Sequence, residues 1–208
     1  MTVDINKIDA IIFDLGGVII NLDTNATVKA FAHLSNKSID DISIAYANAN
    51  FFKDYEIGAI SDAQFRNEIR KSLGINASDE LIDEAWNAML LEIPLNRIAA
   101  FKKLKEHFKL FVMSNTNDIH IRKFDEIFSE LNTGTTFRAY FDKVYYSQDI
   151  GARKPNAGAW TPILEEYKLD ANRALFIDDR LDNIQAASNL GMQTFQNQRL
   201  DDWLTLLK

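Results

Sequence analysis

Four groups of residues, spread over about 165 positions, carry side chains suited to phosphoryl transfer. The first is Asp14 in IIFDLGGVI, where the apolar run Ala10–Phe13 has the length of a buried parallel strand and is followed by a carboxylate and two glycines. Open α/β sheets bind ligands beyond the carboxyl ends of their strands, and this Asp would stand there. Taken alone, such an Asp is most often a turn or helix-cap residue. The second group is Ser114 with Asn115 in FVMSNTND, where a hydroxyl and the amides that follow could hold phosphate oxygens at a helix N-terminus. Helix capping selects the same residue types. The third is Lys154 in GARKPNAGAW. Pro155 confines the Lys154 backbone to extended conformations, so its long side chain reaches one defined point, although a lysine without context is usually solvated. The fourth is the pair Asp178 and Asp179 in FIDDRLDNI. Adjacent carboxylates repel unless a cation or a helix N-terminus is near.

Together the charges describe a mechanism. Asp14, Asp178 and Asp179 are balanced by Lys154 and one Mg²⁺, because a donor set of oxygens without His or Cys selects a hard cation over zinc. A carboxylate of the set can attack phosphorus to give an aspartyl-phosphate, which water hydrolyses.

The elements that must position these groups follow from periodicity. AIIF, LFVM and ALFI each precede one of the polar groups, and each is followed by a helical pattern, which predicts right-handed crossovers and a parallel sheet with helices on both faces. Lys143 to Tyr146 reads as a fourth strand and Gln193 to Phe195 as a short last one, before an amphipathic helix from Leu200 to Leu207. Residues 22–95 carry almost no strand signal and read as a helical cap; residues 1–21 and 96–208 would form the core. Cap helices are expected around Val28, Phe31 and Leu34, from Asp41, from a Ser61–Gln64 capping box to Leu73, and from Asp79 to Leu91 behind Ser78. Pro94 marks the return to the core, and the spacing of Ile98, Phe101, Leu104 and Phe108 is helical.

At 208 residues, 47% of them apolar and 14 of them Phe, the chain can bury one ordinary core and an insertion. A net charge of −7 argues against nucleic-acid backbones and anionic membranes as partners and leaves a small phosphorylated metabolite. The absence of Cys removes disulfides, thiolate metal sites and a cysteine nucleophile. The start, MTVDINKIDA, lacks the features of a signal peptide, so a cytoplasmic location is expected by default.

In order, spacing and residue type these groups resemble the four motifs of the haloacid dehalogenase superfamily over essentially the whole chain. The resemblance implies that Asp14 is the nucleophile, Ser114 the motif-two hydroxyl, Lys154 the basic residue of motif three and Asp178–Asp179 the motif-four acids, with Asp179 touching Mg²⁺ and Asp178 touching it directly or through water. The insert resembles the C1 cap, and YEIGAISDAQF is similar to the subgroup of the α-D-glucose-1-phosphatase and the epoxide-hydrolase N-terminal phosphatase. One position departs from the phosphatase pattern Asp-x-Asp-Gly: Gly16 stands where the second Asp serves as general acid. Gly16 keeps a carbonyl for Mg²⁺ but offers no proton, which suits a good leaving group such as a sugar 1-phosphate. Two other functions remain open at this stage. A metal-independent 2-haloacid dehalogenase would leave Asp178–Asp179 without a counter-ion; a non-catalytic phosphometabolite-binding or partner-binding protein is suggested by Gly16 alone. Substrate selection is expected from Asn21 and Asp23 at the hinge and from the Tyr55–Ile60 loop, with an N-cap as the other reading of Asp23.

Overall fold

In a computed structural model, residues 3–207 are described. Five strands, β1 (Ala10–Phe13), β2 (Lys109–Ser114), β3 (Lys143–Tyr146), β4 (Ala174–Asp178) and β5 (Gln193–Gln196), form one parallel sheet in the order β3-β2-β1-β4-β5. β1 is central, with Phe13 opposite Val112 on one side and Ile177 on the other. Alternation along the strands divides the core in two. Ile11, Phe13, Leu110, Val112, Leu175 and Ile177 pack on one face, while Ala10, Ile12, Phe111, Met113 and Phe176 pack on the other. Both faces are covered, as continuous apolar strands require.

Five helices lie between β1 and the return to the sheet: α1 (Thr24–Ser35), α2 (Ile39–Asn48), α3 (Phe51–Glu56), α4 (Asp62–Leu73) and α5 (Asp79–Asn87). The Ser61–Gln64 capping box opens α4, and a second one, Ser38–Asp41, opens α2 two residues before its expected start. The insert has its own apolar cluster, with Phe65 and Ile82 fully buried beside Trp86, and Ile119 of the following core helix joins it. α5 stops at Asn87 rather than Leu91 because the chain then pairs with Leu22: Asp23 donates to the Met89 carbonyl at 2.9 Å, and Leu91 to that of Asn21 at 3.0 Å.

The core continues with α6 (Leu95–Leu104), α7 (Asp118–Glu130), α8 (Ser147–Ile150), α9 (Thr161–Glu166) and α10 (Leu181–Asn189). The C-terminal segment, expected as an amphipathic α-helix, is a 3-10 helix over Asp202–Leu207. Its anchor is Trp203, buried against Phe13 and Phe101, whose indole N–H donates to the Val18 carbonyl at 3.1 Å. Arg97 on α6 is also fully buried. It pairs with Asp201 at 2.6 Å and donates to the Ile19 carbonyl and the Asn21 side chain. Among the described residues no helix is long and apolar enough to cross a membrane.

Candidate active site

The carboxyl ends of β2, β1 and β4 stand side by side, and each presents one expected group. Ser114 ends β2, Asp14 follows β1 and Asp178 ends β4. The Asp14 N–H donates to the Ile177 carbonyl at 2.8 Å, so the ladder runs one residue past β1 and fixes the Asp14 backbone. Carboxylate oxygens of Asp14, Asp178 and Asp179 lie within 4.8 Å of one another. Lys154 enters from the loop after α8, with Nζ 2.8 Å from Asp14 Oδ1 and 2.6 Å from Asp178 Oδ2, and it is only 1% exposed. Asp14, Gly16, Ser114, Lys154 and Asp179 line one cavity of about 280 Å³ between the sheet and the insert.

The electrostatics are those of a site short of positive charge. Burial, followed by the charges of Asp178 and Asp179, pushes the Asp14 carboxyl up to about 7 against the pull of Lys154. Burial alone would lower the Lys154 pKa, but the Asp14 and Asp178 carboxylates outweigh it and hold the ammonium above its ordinary value. Burial and Asp178 likewise raise Asp179. Three carboxylates and one ammonium leave two negative charges, which one divalent cation cancels.

The oxygens are not equivalent. Asp14 Oδ1 also accepts the Leu15 N–H at 2.7 Å, whereas Oδ2 has no hydrogen bond among the described residues. Asp178 is fully engaged: Oδ1 accepts from the Arg180 N–H and Asn183, and Oδ2 from Lys154 and Asn183. The Asp179 carboxylate makes no side-chain hydrogen bond among the described residues. Gly17 holds a left-handed φ of 72°, and a Cβ there would lie 2.9 Å from Asp179 Oδ2, so the chain passes the acid where only glycine fits. The carboxylates of Asp14, Asp178 and Asp179 form an all-oxygen donor set, with Asp179 carrying no competing side-chain hydrogen bond among the described residues, and such a set fits a hard cation such as Mg²⁺.

Several expected roles change. The Asn115 side chain is not available to a ligand: its Nδ2 donates to the Lys154 carbonyl at 2.9 Å and its Oδ1 accepts the Lys154 N–H at 2.8 Å. It clasps the lysine backbone instead. Asn117, not Ser114, caps α7, which leaves the Ser114 hydroxyl without a protein partner among the described residues. Asn21 is spent between Glu92 and Arg97 and does not line the cavity. Asp23 caps α1 through the Asn25 N–H. Of the Tyr55–Ile60 loop only Glu56 reaches the cavity; Tyr55 bonds Asp62 at 2.6 Å. Sequence reasoning passed over Asn183, whose Nδ2 bridges both Asp178 oxygens and whose buried Oδ1 has no partner among the described residues. It also passed over Tyr46, Trp86, His120 and Arg153, which complete the wall. A polar residue on the first turn after the acid pair was the available signal for Asn183.

The fold and the site define a class: an α/β protein with a buried aspartate–lysine cluster at the carboxyl edge of a parallel sheet. The chain belongs to the haloacid dehalogenase-like hydrolase family, whose profile matches residues 8–191. It is 29% identical over 195 residues to the D-ribitol-5-phosphate phosphatase of Bacteroides thetaiotaomicron, covering 93% of each chain. A haloacid dehalogenase family enzyme of the same organism has a TM-score of 0.90 at 32% identity, covering 97% of this chain and 98% of that one. Its complex with magnesium and inorganic phosphate gives a TM-score of 0.88, covering 97% and 100%. The L-2-haloacid dehalogenase of Xanthobacter autotrophicus, at 16% identity and a TM-score of 0.61 over 91% and 77% of the chains, shares the fold alone. These relatives carry the family and do not single out the glucose-1-phosphatase subgroup.

Proposed function

We propose that this chain is a Mg²⁺-dependent phosphatase that hydrolyses a phosphate monoester of a small sugar or sugar alcohol through an aspartyl-phosphate. The observation that carries the reading is Asp14, whose Oδ1 is held by Lys154 and the Leu15 N–H while Oδ2 is unbonded in a side chain that lines the cavity. Oδ2 bonds to phosphorus as the ester P–O bond breaks, and the electron pair leaves on the alcohol oxygen, which takes a proton from solvent water. Water then attacks phosphorus and returns the Asp14 carboxylate with release of inorganic phosphate. Lys154 holds Oδ1 and offsets charge on the phosphoryl group. The Ser114 hydroxyl and the main-chain amide of Asn115 receive phosphate oxygens. Asp14, Asp179 and the Gly16 carbonyl would hold Mg²⁺, with Asp178 beside them as the anchor of Lys154. Bound there, the ion supplies positive charge to the phosphoryl oxygens.

The magnesium and phosphate complex of the Bacteroides enzyme and the substrate in the name of the ribitol-phosphate phosphatase support this reading. Phosphate release from a panel of sugar, sugar-alcohol and aryl phosphates, with Mg²⁺ or EDTA, tests it. A 2-haloacid arm is included. Release that needs Mg²⁺ is expected. EDTA-resistant halide release, or phosphate binding with no turnover of any ester, would replace it with the dehalogenase or the binding-protein reading.

A further inference from the structure

Resting on that phosphatase reading, we propose that Glu56 and Arg153 form the subsite that selects the leaving alcohol, and that this alcohol is neutral and polyhydroxylated. Glu56 comes from α3 of the insert and Arg153 from the core loop, one residue before Lys154. Arg153 Nε donates to Glu56 Oε2 at 2.7 Å, and both residues line the cavity that holds Asp14. The pair is partly buried, its side chains 31% and 23% exposed.

One hydrogen bond leaves most of the pair's capacity free. The two Nη groups of Arg153 and Oε1 of Glu56 have no partner among the described residues. Nor has the hydroxyl of Tyr46, whose ring leans on Phe52 at 4.4 Å. Fixed donors beside a fixed acceptor match hydroxyls on neighbouring carbons, since each hydroxyl both donates and accepts. Trp86, Met89 and Leu90 offer the apolar wall that the carbon chain of such an alcohol needs. The cavity is the size of a small ligand.

The pair also rejects. A lone arginine at the mouth would welcome a second phosphate or carboxylate on the substrate. With Glu56 bound to it the pair is neutral, and a second anion would sit against the Glu56 carboxylate. The backbone that carries the glutamate is held in place: its carbonyl accepts from the Ser147 hydroxyl, and two residues on, Gly58 lies so close to the Gln148 carbonyl that a Cβ would approach it to 2.7 Å.

The test compares kcat/KM for ribitol 5-phosphate, propyl phosphate and ribitol 1,5-bisphosphate in wild type, Glu56→Gln, Glu56→Ala and Arg153→Lys. In the glutamate variants ribitol 5-phosphate should fall at least tenfold relative to propyl phosphate, while the bisphosphate gains on the monophosphate. Arg153→Lys, which keeps the charge but not the fork, should lose part of the same discrimination. Equal losses on all three esters would mean that the pair only holds the insert in place and would overturn the proposal, as would an unchanged ratio. Calorimetry of ribitol 5-phosphate on Asp14→Asn adds a readout without turnover: a further Glu56→Gln change should weaken binding at least tenfold, and equal affinities would overturn the subsite. Failure of wild type to hydrolyse any ester with Mg²⁺ counts against the phosphatase reading, and the calorimetry still decides the subsite.

Discussion

Replacing Gly16 by Asp restores the acid that the phosphatase pattern carries two residues after the nucleophile. The backbone at Gly16 is not left-handed, so an L side chain is sterically allowed there. A Cβ would lie 2.6 Å from Leu22 Cδ1 and meets no backbone atom within 4 Å. Leu22 is 37% exposed, so its tip can swing outward, and the cost should stay near the low end of the ~1–3 kcal/mol typical of overpacking. Against this stands the gain from a positioned general acid, about 10²- to 10⁴-fold, which applies only where the leaving oxygen needs a proton. Wild type should therefore hydrolyse p-nitrophenyl phosphate about 10²-fold or more faster than a simple alkyl phosphate. Gly16→Asp should raise alkyl-ester turnover at least tenfold and leave the aryl ester nearly unchanged, narrowing the gap. Gly16→Asn, of the same size and without an acidic proton, is the control and should show no gain. Initial rates of phosphate release across a leaving-group series give the slope. A flat wild-type series would mean that another group delivers the proton, and an equal gain in Gly16→Asn would mean that the effect is packing.

Other substitutions separate the roles of the acids. Asp14→Asn should abolish turnover, below about 1% of wild type, with its melting curve retained, because the amide cannot attack phosphorus. Asp179→Ala should raise the Mg²⁺ needed for half-maximal rate with little change in melting temperature, since its carboxylate has no hydrogen-bonded partner to strand. Asp178→Ala should instead cost about 3–5 kcal/mol in denaturant unfolding, because it deprives the buried Lys154 of one of two partners and leaves Asn183 unmatched; equal behaviour of the two variants would refute the division. The fourth prediction concerns His120, buried against Trp86 with Nδ1 3.1 Å from Asn87 Oδ1, where burial holds its pKa down at about 3. A depressed base stays neutral in the folded protein while the unfolded chain takes up a proton, so its contribution is complete above about pH 6.5 and is lost as pH falls toward 3. Between pH 7 and 5 wild type should lose about 2 kcal/mol more stability than His120→Gln, and parallel unfolding curves would contradict the assignment.

The strand ends were legible because each joins an apolar run to a polar residue of defined chemistry: Ala10–Phe13 to Asp14, the β2 run to Ser114, the β4 run to Asp178. What the sequence hid was mostly short or distant. α3, α8 and α9 span six residues or fewer, too few for periodicity to register. Asn115 reads as a cap or a phosphate ligand until the loop containing Lys154 is laid beside it, 39 positions away in the chain. Glu56 and Arg153 are 97 positions apart, and nothing local marks either as the other's partner. The C-terminal segment has helical spacing, yet its path is set by where Trp203 and Asp201 must go, which is a tertiary demand.

The buried Arg97 has a practical consequence for anyone handling the protein. Its guanidinium joins Ile19 and Asn21, at the point where the chain leaves the sheet for the insert, to Asp201 near the other end of the sequence. Cutting the chain back to Leu200 removes the buried Trp203 with Leu204 and Leu206, which pack on the same apolar cluster, and it strands a positive charge in the interior beside the entry to the insert. Residues 201–207 thus behave as a keystone, and purification tags or proteolytic trimming at that end would be felt where the chain leaves the sheet for the insert.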